Sequence, residues 1–207
     1  MRSKPVLVAA LICLASPTNA QTAVGGMPWF GFGPVDTVYA LAIDTTVAFA
    51  GRASLLLQSL RGADASTWIA SHQIVDARAY RGKRVRIRAH LRAQDVTSAG
   101  MWVVVDGFAN GRPATLLSDS LTPGLRGSTA WQGVSMIFDV PVGAGCIRYG
   151  SILHGTGAVW LDSIVFDTVM LGTSTTLHRM KPEPLSTAGN CDGMVPKPTN
   201  LDFEQGP

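Results

Sequence analysis

Hydrophobic and polar residues alternate in short runs along most of the chain, and the clearest alternation lies at 84–92. Four apolar residues there take turns with five basic ones: Val85, Ile87, Ala89 and Leu91 against Arg84, Arg86, Arg88, His90 and Arg92. A period of two predicts a strand with one buried face and one solvated face.

Similar runs recur between turn residues and predict about nine short strands. They lie at 39–44, 53–59, 68–75, 84–92, 101–106, 114–117, 131–140, 147–153 and 158–169. No segment has the periodicity of an amphipathic helix, so the pattern predicts an all-β, antiparallel sandwich or barrel. Turn signals at both ends of 106–111 predict a hairpin loop there. The strand tryptophans are expected in the core: Trp68, Trp102, Trp131 and Trp160.

The N-terminus has the pattern of a secretory signal. Arg2 and Lys4 precede an apolar run of about ten residues. The small residues that a signal peptidase recognises follow this run and end at Ala20. A membrane-spanning helix needs roughly 20 apolar residues, so we predict a cleaved signal at 1–20 and a periplasmic or secreted product. A Gly- and aromatic-rich segment at 21–35, a sandwich domain at 36–170 and an extended Pro-rich tail at 171–207 are expected to follow.

Composition and charge narrow the class of protein. The chain has 46% hydrophobic and 15% charged residues, which is typical of a packed globule. Its formal charge of +3 includes Arg2 and Lys4, so the mature chain is close to neutral. This balance predicts no nucleic-acid partner, and no second apolar run is long enough to form a transmembrane segment.

After signal cleavage two cysteines remain, Cys146 and Cys191. In an oxidising compartment they are expected to form one disulfide, which would tie a strand start to the C-terminal tail. Two free thiols are the alternative.

Catalytic motifs are missing from the sequence. There is no G-x-S-x-G nucleophile elbow and no H-E-x-x-H pair. The four histidines, His72, His90, His154 and His178, are isolated from one another. We therefore predict a protein that is not an enzyme.

Three segments carry a resemblance to a known family: YRGKRVR at 80–86, FDVP at 138–141 and GTGAVWLD at 155–162. Together they resemble the bacterial galactose-binding-domain-like modules, which are related to carbohydrate-binding modules, over roughly residues 27–170. The resemblance implies a jelly-roll β-sandwich and a structural calcium held partly by Asp162. Such modules usually begin with an Asn-x-Asp-Phe-Glu segment. Here that segment lies at 200–204, where it either completes this domain or begins another.

Ligand contacts are expected at two places. Trp29 lies in the Gly-rich segment and could stack on a sugar, although a plug over one end of the sandwich is the alternative. Arg86, Arg88 and His90 could contact an anionic glycan, although an ordinary solvated strand face with neighbouring acids is the alternative. The predicted partner is a glycan. An envelope protein bound by a structural or interaction domain is the second hypothesis, and an accessory fragment of a larger hydrolase is the third.

Overall fold

A computed structural model of the chain describes residues 22–24, 26–33, 37–121, 124–177, 183–184 and 191–205. The predicted signal at 1–20 and His178 lie outside these residues. Within them the chain forms one short 3-10 helix, Arg78–Tyr80, and eleven strands. The strands are β1 (Thr22–Ala23), β2 (Phe30–Phe32), β3 (Tyr39–Asp44), β4 (Ser54–Ser59), β5 (Trp68–Asp76), β6 (Arg84–Ala109), β7 (Arg112–Ser120), β8 (Leu125–Asp139), β9 (Ala144–His154), β10 (Ala158–Val169) and β11 (Glu183–Pro184).

Strand β6 has 26 residues and belongs to both layers of the sandwich. Its first part pairs with β8 and β10, and β10 continues to β4 and β3. Its second part pairs with β7 and β9, and β9 continues to β5, β2 and β1. The register shifts repeatedly between 91 and 99, where Asp95 has a φ of 52°. These irregularities let one strand pass from layer to layer. All named strand pairs are antiparallel.

The core lies between the two layers. The apolar residues of the 84–92 alternation are buried there, and Met101, Val103 and Val105 continue the same buried row in the second part of β6. Phe138 is 1% exposed on β8, which agrees with the predicted face of 131–140. The all-β antiparallel fold is therefore confirmed, with nine strands of three or more residues.

Two local predictions are corrected. The predicted strands at 84–92 and 101–106 are parts of the single strand β6. The hairpin loop is also shorter than predicted, because Asn110 and Gly111 alone separate β6 from β7, with φ angles of 51° and 74°. Asp106 stays in the strand, where its carboxylate accepts a hydrogen bond from Thr115 Oγ1 at 2.8 Å.

The C-terminal segment 191–205 packs onto the sandwich. The predicted disulfide is present, with 5.8 Å between the Cα atoms of Cys146 and Cys191. Val195 forms a parallel bridge with Val75. Asn200 and Phe203 are 6% and 2% exposed. The Asn-Leu-Asp-Phe-Glu segment at 200–204 therefore packs onto this domain.

No helix long and apolar enough to cross a membrane occurs in the part of the chain that the structure describes.

Candidate functional site

An open cleft of about 520 Å³ lies on the outer face of the layer formed by β2, β5, β9, β6 and β7. Alternate residues of neighbouring strands share one face of a sheet, so these strands direct a common set of side chains into the cleft. The aromatic lining residues are Phe32, Trp68 and Trp102, and the polar ones are His72, Ser118, Asp119, Ser120 and Arg148.

The aromatic rings of the cleft are held in place by the sheet. Phe32 and Trp68 have ring centroids 5.4 Å apart. The indole N–H of Trp102 donates to the carbonyl oxygens of Ser71 at 3.0 Å and Ser151 at 3.1 Å. Both tryptophans are only partly buried, so each offers ring surface to a ligand.

Gly150 lets two strands of the cleft approach each other beside Trp102. The two residues are directly opposite each other in the β6–β9 register. A Cβ atom at position 150 would lie 2.0 Å from the carbonyl oxygen of Ser71. Only glycine therefore allows this close approach of β9 to β5.

His72 and Arg148 bring polar atoms to the floor of the cleft. His72 is 1% exposed, with its ring 5.9 Å from that of Phe30 and 5.8 Å from that of Trp102. Burial lowers the pKa of His72 to about 3, and the positive charge of Arg148 acts in the same direction. Arg148 forms an ion pair with the buried carboxylate of Asp106.

Three buried atoms on these two side chains have no hydrogen-bond partner within the described ranges: both ring nitrogens of His72 and Nε of Arg148. Buried polar atoms in folded proteins are normally paired. A neutral imidazole has one donor and one acceptor, and Nε–H of arginine is a donor. The floor of the cleft therefore has unused hydrogen-bonding capacity, which lies beneath the surface that a ligand would contact.

The predicted ligand contacts on β6 lie on the opposite outer face of the sandwich. Arg86 forms a two-point ion pair with Asp167, at 3.1 and 2.7 Å, and Arg88 approaches the same carboxylate at 3.8 Å. His90 lies under the ring of Phe49, with centroids 3.5 Å apart. Arg86 therefore lies on a solvated strand face beside an acidic residue, which was the alternative prediction for it.

Trp29 requires a correction. It has no exposed surface, and its indole N–H donates to the carbonyl oxygen of Asn200 at 3.3 Å. Its ring packs against those of Tyr149 and Phe203. Trp29 is thus part of the plug and has no surface to offer a ligand.

Three tryptophans that were expected in the core are partly exposed: Trp68, Trp102 and Trp131. Only Trp160 of that group is buried, at 7% exposure. Period-two alternation separates the two faces of a strand, but it does not say which face is solvated when both are apolar. Trp68, Ala70 and His72 are alternate residues of β5 and so share one face of the sheet. This spacing was the sequence signal that could have indicated the cleft.

The surroundings of Asp162 do not fit a calcium ion. One carboxylate oxygen accepts the backbone N–H groups of Phe49 at 2.7 Å and Ala50 at 3.1 Å, and the other accepts that of Ser163 at 2.5 Å. Calcium needs six to eight oxygen ligands, whereas here N–H groups point at the carboxylate. No group of three His, Cys, Asp or Glu side chains suited to a metal occurs among the described residues.

Comparisons with known proteins address the fold. No protein-family model matches the chain. The xylan-binding domain CBM22-1 from Paenibacillus barcinonensis superposes with a TM-score of 0.50 at 12% identity, covering 75% of this chain and 98% of that domain. The enzymatically active domain of tailspike protein 4 from Bacteriophage CBA120 gives a TM-score of 0.51 at 12% identity, covering 69% of this chain and 19% of that one.

A curated relative is similar in sequence. It is described as an uncharacterized HTH-type transcriptional regulator, YbfP, of Bacillus subtilis, and it is 28% identical over 179 residues, or 86% of this chain. The chain spans 56% of the length of that relative. Together with the strand topology, the structural comparisons assign the chain the β-sandwich fold of carbohydrate-binding modules.

Proposed function

We propose that this protein is an exported, non-catalytic module that binds an uncharged glycan in the cleft between β2 and β7. One observation carries the proposal: two partly exposed tryptophans, Trp68 and Trp102, line one open cleft together with the polar side chains of Ser118, Asp119 and Ser120. Aromatic faces suit the apolar faces of sugar rings, and polar side chains suit sugar hydroxyl groups.

The charges of the cleft favour an uncharged ligand. His72 is neutral at pH 7 because its pKa is about 3. The guanidinium of Arg148 is balanced by the carboxylate of Asp106. This leaves Asp119 as the uncompensated charge among the described lining residues, and a negative site disfavours an acidic sugar.

The absence of catalysis and the export of the protein are part of the same proposal. Glycoside cleavage generally uses two carboxyl groups on either side of the bond, and Asp119 is the one carboxylate among the described residues that line the cleft. The Cys146–Cys191 disulfide supports an oxidising compartment.

Calorimetric titration of the oxidised protein with xylan, β-glucan and galactan oligosaccharides tests the proposal. We expect one of these to bind, and we expect Trp68→Ala and Trp102→Ala each to weaken that binding at least about tenfold, which is ~1.4 kcal/mol. Phe108→Ala is the matched control, because Phe108 is 60% exposed and lies outside the cleft.

Two results would contradict the proposal. The first is that no neutral glycan binds at millimolar concentration. The second is that a glycan binds with equal affinity to the wild type and to both tryptophan variants, since the ligand would then lie elsewhere. Release of reducing sugar from the bound glycan would contradict the non-catalytic part alone.

A further inference from the structure

The loop at 47–52 holds an exposed aromatic ring in a fixed position on the face opposite the cleft. Phe49 is 45% exposed, yet its ring lies flat on that of His90, with centroids 3.5 Å apart and planes within 10°. Its backbone N–H donates to the buried carboxylate of Asp162 at 2.7 Å.

The far end of this loop is fixed as well. Glu204 accepts the backbone N–H groups of Arg52 at 2.5 Å and Ala53 at 3.0 Å. Because the chain on both sides of Phe49 is already ordered, a ligand that stacks on the ring pays little entropy to immobilise it.

Arg88 and Arg92 lie on either side of this ring, and the protein does not fully balance their positive charge. Arg86 and Arg88 share the single carboxylate of Asp167. The guanidinium of Arg92 lies 5.5 Å from the centroid of the Trp160 ring, and no carboxylate pairs with it among the described residues. Arg88 and Arg92 are four residues apart on one face of β6, so their Cα atoms are separated by about 13 Å.

A groove of about 500 Å³ continues this surface beyond Arg92. Gln94, Ser128, Thr129 and Trp131 contribute to its lining. The hydroxyl oxygen of Thr129 is buried and has no hydrogen-bond partner in the described part of the chain.

Nearby carboxylates are already engaged by hydrogen-bond donors. Asp95 accepts a hydrogen bond from Ser128, and Asp44 accepts others from Trp160 and Thr46. These donors are neutral, so both carboxylates keep their charge, and Arg88 and Arg92 are the cationic groups that an anion beside Phe49 would meet.

We propose that this face is a second binding site, for a linear acidic polysaccharide. Its carboxylate or sulfate groups pair with Arg88 and Arg92, and a sugar ring between them stacks on Phe49. The site is separate from the cleft of the proposed function, and it gives the domain one surface for an uncharged glycan and one for an acidic polysaccharide.

The test is affinity electrophoresis and calorimetry of the oxidised protein with polygalacturonate and with dextran sulfate. Methyl-esterified polygalacturonate and dextran are the uncharged counterparts, and comparison of the two acidic polymers distinguishes carboxylate from sulfate as the preferred group. We expect at least one acidic polymer to bind, with an affinity that falls as salt rises. Arg92→Gln and Phe49→Ala should each weaken it at least about fivefold, or ~1 kcal/mol.

Matched controls are Arg61→Gln and Phe108→Ala, which remove an exposed charge and an exposed ring elsewhere. The proposal is overturned if neither acidic polymer binds, if Arg61→Gln weakens binding as much as Arg92→Gln, or if single-stranded DNA of equal charge binds more tightly. Trp102→Ala separates the two sites, because it should weaken neutral-glycan binding at least about tenfold and leave acidic-polymer binding unchanged. Loss of both would place both ligands in the cleft and overturn the second site alone.

Discussion

The rings of Trp29 and Phe203 pack against each other with centroids 5.1 Å apart. They join the N-terminal segment to the C-terminal segment at one end of the sandwich, and both side chains are at most 2% exposed. The carbonyl oxygen of Asn200 accepts the indole N–H of Trp29, which fixes the orientation of the pair. Phe203, near the end of the described chain, is therefore part of the folded core.

Phe203→Ala should lower the free energy of unfolding by about 3–5 kcal/mol, because it removes a buried ring and leaves a cavity against Trp29. Urea denaturation measures the change. Phe108→Ala, at an exposed ring, should change stability by less than about 1 kcal/mol. Equal stability of Phe203→Ala and the wild type would mean that the C-terminal segment does not contribute to the core.

Much of the fold could be predicted from the sequence, because strand periodicity is a local signal. The alternation of arginine with Val85, Ile87 and Leu91 fixes both the strand and its buried face. The sequence left open whether Trp29 contacts a ligand or forms a plug, since its burial depends on Phe203 from the other end of the chain. The cleft was missed for a similar reason. Trp68 and Trp102 lie on different strands, and only the strand order brings them to one surface.

The Cys146–Cys191 disulfide closes a loop with a sequence separation of 45 residues. Constraining a loop of that size in the unfolded chain stabilises the fold by about 4 kcal/mol in the chain-entropy description. We expect dithiothreitol to lower the midpoint of urea denaturation accordingly. The double variant Cys146→Ser/Cys191→Ser should match the reduced protein and should not respond to dithiothreitol. An unchanged midpoint on reduction of the wild type would contradict this contribution.

Asp162→Asn should destabilise the protein by about 2–4 kcal/mol. The buried carboxylate accepts three backbone N–H groups, hydrogen bonds to charged groups are strong, and the amide of asparagine would direct N–H groups at N–H groups. Thermal unfolding measures the effect.

The same experiment tests calcium. Because Asp162 holds the 47–52 loop through N–H groups, EDTA should leave the melting temperature of the wild type unchanged, and added calcium should not restore Asp162→Asn. A fall in the wild-type melting temperature with EDTA, reversed by calcium, would show that a metal site exists after all.

His72 should make the protein less stable in acid. Its pKa in the folded protein, about 3, lies below the ordinary value of 6.5. Between these pH values the unfolded chain binds a proton that the folded chain does not, so the free energy of unfolding falls as the pH falls from 6.5 towards 3. The contribution of one such group reaches about 1.4 kcal/mol per pH unit.

His72→Phe keeps an aromatic ring between Phe30 and Trp102 and removes both unpaired nitrogens. At pH 7 its stability should therefore equal or exceed that of the wild type, because a buried polar group without a partner costs about 1–3 kcal/mol. Its stability should also fall less steeply between pH 6.5 and 4. His154→Gln, at an exposed position, should keep the wild-type slope. If His72→Phe shows the same acid slope as the wild type, His72 is not held neutral on the floor of the cleft.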